Sequence, residues 1–241
     1  MGRHLQKGFT IIEVMLVLAI TSLMLSAVLN NSSRRVNEQH YREGVESFRD
    51  FLAGTFEDID SVKNDVLGQI KRCNSSPFAG DNTVAWRGSA ECFYSGREVT
   101  ITYDRSSGST KLTSRSVKAF IDPSGATEPQ YIAVMDAREA NLSEQDIDWG
   151  VGAMQPKPHS NNGYSNYKMR IIRNPKSGAK IFQIQDSAGG AWRTPENNII
   201  FCMKNPFYND NQWQMVTVDK NAINSSGITT NNGRDSCGVN T

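Results

Sequence analysis

Histidine is scarce: the 241 residues contain three, His4, His40 and His159, far apart in the chain. No H-E-x-x-H, G-x-S-x-G or G-x-x-x-x-G-K-[ST] pattern occurs. Those patterns supply, in turn, zinc ligands with a general base, an exposed nucleophile, and a phosphate cradle. Without them no catalytic residue, cofactor or metal is assigned, and the chain is not expected to be an enzyme. An excess of one charge is also lacking. The 26 basic and 25 acidic residues leave a net charge of +1, which argues against a domain that holds nucleic acid by bulk electrostatics. Proline does not occur before Pro77, so nothing interrupts a helix begun near the N-terminus. Cysteine is limited to Cys73, Cys92, Cys202 and Cys237, and no two have the C-x2-C spacing of a zinc site. The oxygen-rich Asn209, Asp210 and Asn211 include one carboxylate, which reads as a polar turn rather than a calcium loop. Asp136, Glu139, Glu144, Asp146 and Asp148 read as a solvated face.

What is present is unevenly distributed. Phe9 to Leu29 reads FTIIEVMLVLAITSLMLSAVL, in which 16 of 21 residues are hydrophobic and Glu13 is the one charge. As a helix it rises about 31 Å, the thickness of a bilayer core. The remainder is lean and polar, yet its aromatic content is that of a folded domain. A secretory signal peptide has a shorter apolar stretch and a small-residue cleavage site after it, and neither fits. A plain anchor fits the length but leaves Glu13 unexplained. A carboxylate in a span costs about 2.5–3.5 kcal/mol on insertion scales, less near the interface, and usually marks a function.

The neighbours of Glu13 give the explanation. A short basic leader, MGRHLQKG, precedes FTIIEVMLVLAI. This resembles the class III signal of type IV pilins, pseudopilins and competence pilins. The resemblance rests on leader charge, Gly8, Phe9, a glutamate five residues into the mature chain, and the apolar run. It is strict over about residues 3–35. It implies removal of residues 1–8 by a prepilin peptidase between Gly8 and Phe9, with Phe9 becoming an N-methylated terminus. It also implies that Glu13 pairs with the terminal amine of a neighbouring subunit, with Thr10 as a small polar companion. The physics agrees: a costly carboxylate relieved by a charge on the next helix favours one axial register. For Thr10, a helix hydroxyl bonded to a carbonyl is an equally good reading. The implied partners are other pilin subunits, the peptidase and a membrane assembly platform. The implied location is the cytoplasmic membrane, single-pass with the N-terminus inside, and then a cell-surface filament with the body outside. Arg3 and Lys7 before the span nearly balance Arg34 and Arg35 after it, so charge alone does not orient the chain.

Beyond the span, Val36, Tyr41, Val45, Phe48, Leu52, Phe56, Ile59, Val62, Val66 and Ile70 recur mostly at spacings of three and four. The pattern predicts an amphipathic helix over 30–72, continuous or divided near 57, with Gly44 and Gly54 as candidate bends. From about residue 84 the period changes. Segments 98–104, 109–120, 130–137, 167–174, 179–186, 197–204 and 213–220 read as strands, with 174–178 as a hairpin turn. Residues 138–166 read as a long surface loop. The expected organisation is a leader (1–8), a membrane or filament-core helix (9–29), an amphipathic helix (30–72) and a β-rich head (73–241). The fold class is α+β, a long helix packed on an antiparallel sheet, similar to a pilin.

An extracytoplasmic body makes disulfides the natural state of the four cysteines. Cys73–Cys92 would tie the helix end to the first strand region, and Cys202–Cys237 would pin the tail. Three connectivities are open, and the second bond resembles the C-terminal disulfide loop of many pilins. Because some competence pilins capture DNA, basic strand positions are also candidates. These are Arg105, Lys111, Arg115 and Lys118 on one hairpin, or Lys168, Arg170, Arg173, Lys176 and Lys180 on the next. The alternative is ordinary solvent-facing charge. The resemblance points to a structural subunit. A mature chain of 233 residues carries more head than most abundant pilins, which favours a minor pilin. A pseudopilin of a type II secretion system, or a competence or adhesion pilin whose head binds DNA or a surface ligand, are the alternatives.

Overall fold

A computed structural model describes residues 10–59, 92–104, 109–120, 128–133, 142–147, 152–153, 167–185, 190–204, 213–232 and 237. Helix α1 (Ile11–Glu57) is continuous through Gly44 and Gly54. Contacts divide the chain into two units, Met1–Arg42 and Glu43–Thr241, and α1 contributes to both.

In the first unit every described side chain from Thr10 to Leu29 is exposed, Ile11 by 78% and Leu23 by 73%. Among the described residues this is the one helix long and apolar enough to cross a membrane. Two of its hydroxyls are satisfied within the helix. Thr21 Oγ1 donates to the Val17 carbonyl (2.9 Å) and Ser22 Oγ to that of Leu18 (2.7 Å). That arrangement removes most of the cost of placing them in hydrocarbon.

In the second unit α1 turns Val45, Phe48, Leu52 and Phe56 into the core, each at most 1% exposed. These are the i, i+3, i+4 positions of the sequence stripe. The helix stops at Glu57, and Asp58 and Ile59 form a turn in which the Asp58 carboxylate accepts from Arg97 (2.8 Å). Residues 60–72 of the expected helix lie outside the described residues.

The strands form two antiparallel sheets. One has the order β3 (Gln130–Ala133), β2 (Ser109–Phe120), β1 (Cys92–Asp104), β6 (Tyr167–Arg173), β7 (Lys180–Gln185), with β4 (Ser143–Ile147) also on β2. The other has the order β10 (Ile228–Asn232), β9 (Trp213–Val218), β8 (Ile199–Lys204), β5 (Gly152–Ala153). Each sheet meets the helix through an aromatic pair. Phe56 lies 5.9 Å from Phe182 of the larger sheet, and Phe48 lies 5.2 Å from Phe201 of the smaller. Tyr167 and Phe201, 5.7 Å apart edge to face, join the two sheets directly. The class is therefore α+β, with the helix packed against antiparallel sheets in a pilin-like architecture.

Two details depart from the sequence reading. Residues 138–166 are not one loop, because β4 and β5 lie within them. β3 covers only the 117–120 end of β2, and β4 takes the free backbone edge at 110–114. The expected strand over 130–137 is described as β3 only to Ala133. The hairpin at 174–178 forms as read, with Gly178 at φ 72° donating to the Asn174 carbonyl (2.7 Å). Glycine is also required at Gly96, beside a register shift in β1, where a Cβ would sit 2.1 Å from the Ile171 carbonyl oxygen.

Candidate functional site

The first described residues already carry a built feature. Thr10 precedes the helix and Glu13 occupies its third position. Thr10 N and Thr10 Oγ1 each donate to Glu13 Oε2 at 3.2 Å, and Glu13 N donates to Thr10 Oγ1 at 3.3 Å. This is a reciprocal capping box: two otherwise orphaned amide hydrogens at the helix start find acceptors. The Thr-Ile-Ile-Glu spacing carries that signal in the sequence, and a search for polar residues in a span overlooks it. The box turns the carboxylate toward the helix start. Gly8 and Phe9 themselves are outside the described residues.

Cys202 and Cys237 are disulfide-bonded, with Cα atoms 5.6 Å apart and a sequence separation of 35. Cys202 lies on the face of β8 away from Phe201. There the two cysteines and Trp213 form a buried cluster, flanked by Ile200 and Met215. The bond thus holds a point of the polar tail over the outer apolar face of the smaller sheet. The Cys73–Cys92 pairing lies outside the described residues.

Of the second hairpin's five candidate cations, Lys176 sits in the turn and the other four do not form one strip. Lys180 is directly opposite Arg173, and both share a face with Ile171 and Phe182, whereas Lys168 and Arg170 stand on the other face. The parity of position 173 differs from that of 168 and 170, which separates them. Lys180 Nζ donates to the Ile223 carbonyl (2.9 Å), tying β7 to the turn before β10.

Arg170 is also not a surface residue, being 6% exposed. In the larger sheet Arg115, Glu98, Arg170 and Gln183 stand directly opposite one another on four neighbouring strands. Arg170 Nε donates to Gln183 Oε1 (2.8 Å) and Nη1 to the Tyr131 carbonyl (3.2 Å). Its guanidinium carbon lies 4.1 Å from the centre of the Trp192 ring and 5.4 Å from that of Tyr131. Burial lowers the Arg170 pKa to about 10, against the opposing fields of Glu98 and Tyr131, so it stays charged at neutral pH. Burial likewise raises the Glu98 pKa, against Lys168, Arg170 and Arg115. Alternation along β6 turns position 170 away from the face that meets the helix. It does not reveal that the segment after β7 brings Trp192 back over it.

On the first hairpin, Lys111 pairs with Glu144 of β4 at 3.0 Å, and Arg105 is outside the described residues. Among the described residues no group of three or more His, Cys, Asp or Glu side chains is placed to hold a metal ion.

A family model described as the prokaryotic N-terminal methylation motif matches residues 3–29. No curated protein and no solved structure matches the chain. The motif covers Arg3 to Gly8, Phe9, Thr10, Glu13 and the apolar half of α1 through Leu29. The N-terminus is a type IV pilin-like class III signal peptide.

Proposed function

We propose that the chain is a minor pilin, a structural subunit of a type IV pilus or a related filament. It is stored in the cytoplasmic membrane with its N-terminus inside and its body outside. A prepilin peptidase removes residues 1–8, and the mature chain enters the filament through α1. The observation that carries this reading is the coincidence of the methylation motif at 3–29 with a continuous helix whose apolar half is wholly exposed and carries its one acid, Glu13, at the start. A lone helix with that surface needs lipid or the helices of other subunits around it. Glu13 then sets the axial register by accepting the terminal amine of a neighbouring subunit. The size of the β-rich body favours a minor subunit over an abundant one.

The test separates the charge of Glu13 from its capping role. Glu13→Gln keeps an oxygen that accepts from Thr10 but removes the negative charge. Sheared filaments from cells expressing this variant are expected to contain much less of the chain, with membrane levels unchanged. Incorporation equal to wild type would remove Glu13 from the assembly mechanism. Recovery of the wild-type chain with a secretion machine and never with surface filaments would assign it to the pseudopilins instead.

A further inference from the structure

We propose that the outer face of the larger sheet binds a neutral glycan, with Lys168 and Glu98 taking two adjacent sugar hydroxyls and Trp192 lying against the sugar ring. The site belongs to the second unit and goes beyond the role of the chain as a filament subunit.

Two rows of side chains build this face. Alternation places Arg115, Glu98, Arg170 and Gln183 in one row, and Thr113, Thr100, Lys168 and Gln185 in the next. With strands about 4.8 Å apart each row runs about 14 Å, and the rows lie about 7 Å from one another. Every member of the second row carries a hydrogen-bonding group, and all four are half-buried rather than covered.

Glu98 is the anomaly of the first row. It is 8% exposed, and a carboxylate so far from water is costly unless it is hydrogen-bonded. Among the described residues its ion-pair partner is Lys168, whose Nζ stands 4.0 Å from Glu98 Oε1, beyond hydrogen-bond distance. The neighbouring Arg170 guanidinium is turned to Gln183, the Tyr131 carbonyl and the Trp192 ring. An acceptor and a donor therefore stand side by side with bonding capacity left, and the Lys168 side chain is 42% exposed. A ligand suited to both has to donate to the carboxylate and accept from the ammonium within one small group. A hydroxyl does both, and two hydroxyls on adjacent carbons serve the two side chains together. A phosphate accepts from Lys168 but is repelled by Glu98. An amine donates to Glu98 but is repelled by Lys168, Arg170 and Arg115.

Trp192 adds the flat apolar surface that a sugar ring stacks on, and it is anchored on both sides. Gln185 Nε2 donates to the Gly190 carbonyl at 2.7 Å. Ile184 and Arg193 exchange backbone hydrogen bonds at 2.9 and 3.0 Å. With Arg170 behind the ring at 4.1 Å, the half-buried indole is fixed in place before a ligand arrives, which lowers the cost of ordering it.

The test is isothermal titration of the full chain, held in a detergent without a sugar headgroup. The probes are maltohexaose and mannohexaose, which have adjacent free hydroxyls on every ring, and laminarihexaose, whose internal rings have none. Saturable binding of at least one of the first two is expected, with laminarihexaose weaker. Lys168→Ala and Glu98→Gln are each expected to weaken that binding about tenfold or more, whereas Lys176→Ala, in the hairpin turn, leaves it unchanged. Thermal unfolding of each variant confirms that it is folded, and the two substitutions are independent of one another. No saturable binding of either probe, or binding that survives both substitutions, overturns the site. Equal binding of laminarihexaose overturns the assignment to adjacent hydroxyls. Binding of dextran sulfate that Lys168→Ala abolishes and Glu98→Gln strengthens would mark the pair as a polyanion site and overturn the glycan assignment.

Discussion

The guanidinium of Arg170 lies against the face of Trp192, 4.1 Å from the ring centre, while its nitrogens reach Gln183 and the Tyr131 carbonyl. β3, β7 and the stretch leading to β8 are thereby held by one side chain on β6. A buried cation of this kind is costly to leave half-paired and costly to remove.

Arg170→Ala is expected to destabilise the chain by about 3 kcal/mol or more, because it empties the space under Trp192 and strands Gln183. Arg170→Lys keeps the charge but loses the planar stack and one of the two hydrogen-bond directions, so an intermediate loss is expected. Denaturant unfolding of the detergent-solubilised chain reads both. Equal stability of Ala and wild type would show that the stack carries no weight.

Glu98 supplies a pH dependence of known sign. Burial raises its pKa in the folded chain above the ordinary 4.5, although Lys168, Arg170 and Arg115 pull it down. Its contribution to stability is therefore fully present below the unfolded-state value and is lost as pH rises through the raised folded value. Glu98→Gln has no charge to bury. The variant is expected to gain on wild type as pH is raised from about 4.5. Stability curves that run parallel across this window would contradict the assignment.

Two glycines give opposite expectations for the same substitution. At Gly96 an added Cβ meets the Ile171 carbonyl oxygen at 2.1 Å, and the nearby atoms are backbone. Gly96→Ala is expected to cost about 3 kcal/mol or more, or to prevent folding. At Gly54, on the exposed side of α1, nothing lies within 4 Å. Gly54→Ala is expected to stabilise by about 0.5–1 kcal/mol through helix propensity. Thermal unfolding of the two variants side by side checks the β1–β6 contact and the continuity of the helix together.

Removing the Cys202–Cys237 bond is expected to cost about 2–4 kcal/mol. It also frees the tail from the apolar face of Trp213, Met215 and Ile200. A Cys202→Ser, Cys237→Ser variant should therefore unfold at lower denaturant and bind a hydrophobic dye more strongly. Unchanged dye binding would mean that the tail stays seated without its bond.

The helix was the most legible part of the fold. Val45, Phe48, Leu52 and Phe56 recur at helical spacing with no proline nearby, and that stripe is what the core receives. The strands were legible as strands, since a period of two reveals which face is buried. It does not reveal which strand lies alongside, so the division into two sheets was hidden. β4 was hidden for another reason. Ser-Glu-Gln-Asp-Ile looks like loop because an edge strand needs few inward residues, here Ile147 and a Gln145 that donates to Ser47. Arg170 was misplaced because its cover comes from Trp192, 22 residues further on, and no local pattern encodes that meeting. At the N-terminus the residues of the motif lie next to one another in the chain and were legible, whereas the capping box between Thr10 and Glu13 was overlooked.

Assembly through α1 depends first on how the N-terminus is processed. The chain should be co-expressed with a prepilin peptidase, and its mature N-terminus determined by mass spectrometry. The predicted result is a chain beginning at Phe9, lacking residues 1–8. A chain that still begins at Met1, or one cut after Leu29 on the far side of the apolar run, would contradict the account.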